Sequence, residues 1–475
     1  MVMRALRLSL FGVVAALSVH APLTASAAET ETTIQAYAAG YKAAFTCSAT
    51  FNGGKSMELI NAHELTGIYP LVQDLVTQLP VFIDPELRMV QVAYDDLPPR
   101  TVVWRPQLGC VQLPVGATAD VAAMMPRLAD PQPKPGKDSG APWVQLNPIN
   151  SSTGNDLLDT AIRGAFSDHY GAGARTTAVL IATPEQIIAE HYLDGFTPET
   201  SQRTWSVAKS IGASVIGVAV QQGLVKVNEP AGLENWSYPA DPRGQITLEH
   251  LLHMASGLDS NVAGNRTDRV YLGGGLVSDT ATQTALEVPP GTRWKYANND
   301  TLLALRTLRE RFTDVNDYLA FPFKQLLNKI GMQHTFPETD WQGDFILSSQ
   351  VWTTSRDLAR LGILHLQNGR WNDEQILPEN WLSYISTPAP AQPPAQSSAG
   401  SPIPGYGAQW WLFNERFPEL PDDTIAARGN RGQYLFIIPS ENLVIVRRGY
   451  DLAGEPPFRE HEFARDVLRA LKAVE

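Results

Sequence analysis

The chain has 475 residues, with 37 Lys plus Arg against 49 Asp plus Glu and a formal net charge of −12. That length exceeds what one core ordinarily serves, so two domains are expected. An acidic balance with no basic run interleaved with aromatics excludes a surface that tracks nucleic-acid phosphates.

The first segment carries Arg4 and Arg7, an uncharged run from Leu8 to Leu17, and then Ala25-Ser26-Ala27. This pattern predicts a secretory signal over residues 1–27. The apolar run is well short of the ~20 residues that span a bilayer, so no stable membrane span is expected. The mature protein is therefore expected to be periplasmic or secreted. Residues 28–125 form a first region of mixed α and β character. Ile34 to Phe45 reads as a helix, and Arg88 to Tyr94 and Arg100 to Trp104 read as strands. The region holds the only two cysteines, Cys47 and Cys110. In an oxidising compartment such a pair most simply forms one disulfide closing a long loop, the alternative being two buried thiols. Residues 126–145 are Pro-rich and predict a linker or a chain wrapped over a surface.

From 146 to 475 the pattern becomes that of a large mixed domain. Thr176 to Pro184 and Glu185 to Leu193 read as a hairpin, and Gly432 to Gly449 as a second one turning at Pro439 to Asn442. Phe458 to Val474 reads as a final amphipathic helix. Strands at both ends with helices between them predict one antiparallel sheet assembled from both termini and a helical middle. Thr387 to Gly405 is rich in Pro, Ala and Ser and reads as a surface loop.

The chemistry lies in "TWSVAKSIGASVIGVAVQQG", Thr204 to Gly223, a helix apolar nearly all round that opens with Ser206 and carries Lys209. Residues i and i+3 of a helix share a face, so the hydroxyl and the amine can meet. Burial favours the neutral lysine, which then serves as base for the adjacent serine. Unpaired N–H groups and the helix dipole at the first turn favour negative charge on the Ser206 oxygen. Tyr296, in a loop after Pro289-Pro290-Gly291, is a candidate to be held partly ionised and to shuttle the serine proton. Asn298 is placed to fix Lys209 and a substrate carbonyl. Gly432 before a strand offers the Gln433 N–H, with that of Ser206, as an oxyanion hole.

Competing chemistries lack their signatures. There is no His-Glu-x-x-His, no Gly-x-Ser-x-Gly elbow and no dinucleotide or P-loop glycine pattern. His250 and His253 are close on a helix, but their setting reads as core. No metal or cofactor is called for.

The ordered set Ser-x-x-Lys, Tyr-x-Asn and a Gly-terminated triad before a strand resembles the serine β-lactamase and penicillin-binding-protein superfamily. It is most similar to the branch of class C β-lactamases, related esterases and 6-aminohexanoate-dimer hydrolases. "LEHLLHMASGLD" (Leu248 to Asp259) and Thr353 to Trp371 add to the resemblance, which covers roughly residues 150–475. It implies an α+β, β-lactamase-like fold: an antiparallel sheet flanked by helices beside an all-helical lobe, with the site between them. It implies an acyl-enzyme on Ser206, with Lys209 and Tyr296 catalytic and Asn298, Gly432 and Gln433 supporting.

One departure stands out. Where the family carries Lys-Thr-Gly or His-x-Gly, this chain has Asn430-Arg431-Gly432, with Arg428 or Arg431 as candidate replacement cations. That turns the expectation from β-lactam or D-Ala-D-Ala substrates towards other small or peptide-like amides and esters. Lys329-Ile330-Gly331 also fits Lys-x-Gly, but reads more simply as a helix C-cap. Trp205, Trp294, Trp410 and Trp411 are candidates for an aromatic rim, Trp410 among them as a substrate contact. A catalytically idle binder of cell-wall peptide is the reading of another class. Neither the substrate nor the oligomeric state is set by the sequence.

Overall fold

The computed structural model describes residues 31–131, 144–260, 268–398 and 400–473. The signal segment 1–27 and most of the Pro-rich stretch 126–145 lie outside the described residues.

The N-terminal region opens with α1 (Glu31–Phe51), which buries Ala38, Ala39, Tyr41, Ala43, Phe45 and Cys47. Short helical turns α2 (Met57–Leu59) and α3 (Pro70–Val76) follow. Four antiparallel strands succeed them in the order β1 (Val81–Asp84), β2 (Met89–Val92), β3 (Arg100–Arg105) and β4 (Gly109–Gln112). Small residues on one side of α1 let it lie against this sheet, and Cys47 bonds to Cys110 of β4 across 63 residues of sequence. Two expected strands, Arg88 to Tyr94 and Arg100 to Trp104, are β2 and β3. The start of the Pro-rich stretch lies on the surface, where the Pro126 carbonyl accepts from Arg105 at 2.8 Å.

The large sheet begins with β5 (Val144–Gln145), β6 (Thr176–Ala182) and β7 (Gln186–Tyr192). Chain order continues with β8 (Gln202–Arg203), β9 (Phe336–Pro337) and β10 (Val351–Thr353), which pair as a small sheet, then the two-stranded β11 (Arg370–Trp371) and β12 (Glu374–Gln375). The strands β13 (Gly405–Tyr406), β14 (Trp411–Leu412), β15 (Ile425–Gly429), β16 (Gln433–Ile438) and β17 (Leu443–Gly449) complete the large sheet in the order 13-14-15-16-17-6-7-5. Strand β17 pairs antiparallel with β6, so both ends of the large domain do meet in one sheet. Only the edge strand β5 pairs in parallel, with β7.

One face is covered by α4 (Asp156–Ala165) and the C-terminal helix Glu460–Lys472, which buries Phe463, Val467 and Leu468. The other face packs against α5 (Val207–Gln221) and the helix Ser355–Leu366. Helices Leu248–Leu252, Asn298–Arg309 and Val315–Pro322 build the helical side of the same core. Thirteen consecutive residues of α5 from Val207 to Ala219 are buried. Glycines make this possible: a Cβ at Gly217 would lie 2.6 Å from the Trp381 ring. Among the described residues no helix is long and apolar enough to cross a membrane.

Candidate active site

Ser206 stands at the head of α5, in a turn that the rest of the fold clamps. Thr204, two residues before it, donates its N–H (2.8 Å) and hydroxyl (3.0 Å) to the Val351 carbonyl of β10. Trp205 takes φ +50°, a conformation that costs a bulky residue energy and is held here by its surroundings. Its ring lies under the Arg203 guanidinium at 3.5 Å and stacks at 6.4 Å from Phe45 of α1.

Lys209, one turn on, is 1 % exposed. Its Nζ is 3.2 Å from Ser206 Oγ, and it donates to Asn298 Oδ1 at 2.6 Å and to the Ser348 carbonyl at 2.8 Å. Neutral acceptors hold the amine in place without supplying the negative charge that would keep it protonated. Burial therefore brings its pKa down to about 7. The Lys209 Nζ sits 5.0 Å from the Tyr296 ring centroid. Desolvation pushes the Tyr296 phenol up to about 12, against smaller lowering effects of a hydrogen bond with Ser206 and the Arg428 charge. Tyr296 thus keeps its proton at neutral pH, in contrast to the partly ionised tyrosine expected from the sequence, and burial disfavours the charged form of Lys209.

The tyrosine stands in an aromatic cluster with Trp411 at 5.5 Å, Tyr406 at 6.0 Å and Trp294 at 6.3 Å. Trp294 and Trp411 thus pack beside Tyr296, while Trp410 does not. Trp410 is fully buried beside His365, because neighbours along the chain in an extended segment face opposite ways and only Trp411 turns to the site. Arg428 lies over the Trp411 ring at 5.2 Å and pairs with Glu460 at 2.6 Å.

The glycine triad is displaced from its expected place. Gly432 (φ +77°) packs against Arg447 and Asp451, where a Cβ would have no room. The Gln433 side chain accepts from Arg448 Nε at 2.7 Å and donates to the Arg431 and Gly449 carbonyls. The glycine against the nucleophile is Gly429, the last residue of β15: a Cβ there would lie 2.3 Å from the Thr204 carbonyl and 3.3 Å from Ser206 N. Asn430 is exposed beside it. Arg431 points away and donates to the His63 and Thr66 carbonyls, each at 2.7 Å. Of the two candidate replacement cations, Arg431 binds the N-terminal region, while Arg428 is paired with Glu460 and its charge reaches Tyr296.

Of the groups assembled here, the Ser348 carbonyl and Gly429 escape sequence reasoning. A backbone carbonyl leaves no residue signature, and Gly429 is distinguishable from Gly432 only once it is known which end of the β15–β16 turn abuts α5. His250 caps its helix through Thr247, whose N–H it accepts at 3.1 Å. His253 is buried against Tyr384, with its pKa lowered to about 4 by desolvation. Gly331 (φ +75°) ends its helical segment while Lys329 pairs with Glu374. Among the described residues no group of three His, Cys, Asp or Glu is arranged to hold a metal ion.

Comparison with known proteins places this constellation in context. A family model described as Beta-lactamase matches residues 162–448. The chain is 26 % identical over 331 residues to the 6-aminohexanoate-dimer hydrolase of Paenarthrobacter ureafaciens, covering 63 % of this chain and 79 % of that one. In fold it is similar to a family VIII carboxylesterase (TM-score 0.54, 13 % identity, 69 % of this chain and 99 % of that one). It is also similar to a penicillin-binding protein homologue from Caulobacter crescentus (TM-score 0.53, 12 % identity, 67 % and 98 %).

Proposed function

Since the chain belongs to the Beta-lactamase family, we propose that it is an exported serine hydrolase that cleaves a small or peptide-like amide or ester through an acyl-enzyme on Ser206. The observation that carries this reading is Lys209: a fully buried amine 3.2 Å from the serine oxygen, with its pKa brought down to about 7. A merely structural lysine gains nothing from that burial; a base working at neutral pH requires it.

In the proposed cycle, neutral Lys209 takes the Ser206 proton as Oγ attacks the scissile carbonyl. The Ser206 N–H and an N–H from the Gly429–Asn430 end of β15 hold the oxyanion, in place of the Gln433 N–H. As the intermediate collapses, the lysine proton passes through the Tyr296 hydroxyl to the departing nitrogen or oxygen. Asn298 keeps Lys209 aimed throughout. Water then hydrolyses the ester on Ser206 with Lys209 again as base.

Non-carboxylate amides and esters are favoured over β-lactam and D-Ala-D-Ala substrates, because both arginines near the triad already have partners. Export is supported by the leader pattern and by the Cys47–Cys110 disulfide. The test is intact-mass spectrometry and turnover with p-nitrophenyl butyrate, a penicillin, nitrocefin and a linear amide dimer, beside Ser206→Ala. A Ser206-dependent adduct or turnover is expected. A folded protein silent to all of these and to a fluorophosphonate would leave a binding protein as the alternative.

A further inference from the structure

A cavity of about 420 Å³ lies between two parts of the chain that the family match separates. One wall comes from the N-terminal region through Tyr41, Ile68 and Tyr69; the other comes from Trp205, Tyr434 and Leu452. Its volume is of the order that encloses a small-molecule substituent. Its edge reaches the nucleophile twice, at Trp205, the residue before Ser206, and at Gly429, whose Cβ position lies 3.3 Å from Ser206 N.

Of the polar side chains around it, Asn430 and Glu455 are exposed at its mouth, Asp451 keeps one buried carboxylate oxygen without a partner, and the other groups are engaged. The Arg431 guanidinium binds the His63 and Thr66 carbonyls, and Asp451 Oδ1 accepts from Arg447 at 2.7 Å and from the Arg175 N–H at 2.9 Å. The Tyr69 hydroxyl is bonded to that of Tyr271 at 2.7 Å. Arg431 therefore fixes the wall instead of offering charge to a ligand, and the surface facing the space is chiefly aromatic rings and aliphatic side chains.

Geometry also decides which half of a substrate this space takes. The proton for the leaving group comes from the Lys209 and Tyr296 side, so the leaving group must face those residues. The cavity is lined by Trp205 and Gly429 and by none of Lys209, Tyr296 or Asn298. It lies on the side where the acyl portion stays bound to Ser206.

We infer that the N-terminal region, outside the matched hydrolase portion, completes an acyl-group subsite that selects substrates with an aromatic or long alkyl acyl group. This rests on the serine-hydrolase reading above. Tyr69 and Ile68 are specificity residues, and the N-terminal region is a fixed wall of the site.

The test is steady-state kinetics on p-nitrophenyl acetate, octanoate and phenylacetate, a series with one leaving group. Leu452→Trp, which fills the cavity, and Ile68→Ala with Tyr69→Ala, which strips its wall, are compared with the wild type. Wild-type kcat/KM should rise from acetate to octanoate and phenylacetate. Each variant should lose roughly tenfold on the larger acyl groups, with acetate turnover little changed. Retention of the wild-type acyl preference in both variants would overturn the inference while Ser206-dependent acetate turnover kept the hydrolase reading. A preference that follows the leaving group in an acetate series of varied alcohols would overturn it too. Absence of Ser206-dependent turnover on every ester and amide would instead remove the hydrolase reading, and the subsite with it.

Discussion

At the scale of single residues, environment sets Lys209 and Tyr296 apart in the proposed cycle. Both are desolvated, but burial disfavours the charged form of each and so drives a lysine down and a tyrosine up. With Lys209 at about 7 and Tyr296 at about 12, the proposed reaction should show one acidic limb. Activity is expected to be low where Lys209 is protonated and to rise through pH about 7. Asp300, bonded to Ser256 Oγ at 2.8 Å, is pushed up by burial to about 7 as well, so the assignment needs a control. In kcat/KM profiles the limb should persist in Asp300→Asn. Lys209→Arg, which cannot give up its proton, should lose about 10²–10⁴-fold at pH 8. A limb abolished by Asp300→Asn would reverse the assignment. Tyr296→Phe keeps the ring packed against Trp411 and removes only the hydroxyl. A loss of kcat by about 10²-fold with unchanged thermal stability is expected, most marked for amides, whose leaving nitrogen must be protonated.

At the scale of elements, the approach of α5 to β15 makes the site. Gly429 is small because the Thr204 carbonyl occupies the place of its side chain. Gly429→Ala should push β15 away from Ser206, so kcat is expected to fall well over tenfold while the melting temperature drops little. An equal fall in both would mean that Gly429 is only a packing residue. These relations explain what was readable locally. Helix α5 announced itself through an unbroken apolar composition, and Ser206, Lys209 and Asn298 stand together because i,i+3 spacing and one loop bring them there. Of the tryptophans expected at the rim, Trp410 is core, while Trp411 packs against Tyr296. The glycine beside Ser206 is Gly429 and not the expected Gly432. In both cases the residue type is legible in the sequence and which copy faces Ser206 is not, since facing depends on which neighbour packs on each side of a strand or turn.

At the scale of the molecule, the N-terminal region is joined to the hydrolase portion by buried polar contacts. Glu338 Oε1 accepts from Ser48 at 2.6 Å, Asn52 at 3.0 Å and the Cys110 N–H at 3.1 Å, and burial pushes its carboxyl up to about 7. A carboxyl raised in the folded state binds more protons there than when unfolded. Its contribution is therefore complete below about pH 4.5 and is lost as pH rises through about 7. Glu338→Gln stays neutral, so chemical denaturation should show the wild type losing stability relative to the variant between pH 5 and 8. A pH-independent difference would refute the shift. Removing the disulfide as Cys47→Ala with Cys110→Ala frees a 63-residue separation. Equilibrium unfolding should then register a loss of about 4 kcal/mol on chain-entropy grounds.

The sequence by itself determined the family, the α+β architecture and the pairing of Ser206 with a buried Lys209, because these rest on local spacing and on hydrophobic pattern along continuous segments. Only the tertiary structure decided which glycine faces Ser206, which tryptophans pack beside Tyr296, where the two arginines are engaged, and that the region before residue 126 lines a cavity beside the turn that carries Ser206. Those outcomes depend on contacts between residues hundreds of positions apart, such as Arg431 on Thr66 and Glu338 on Ser48, and no local period or composition encodes such a pairing.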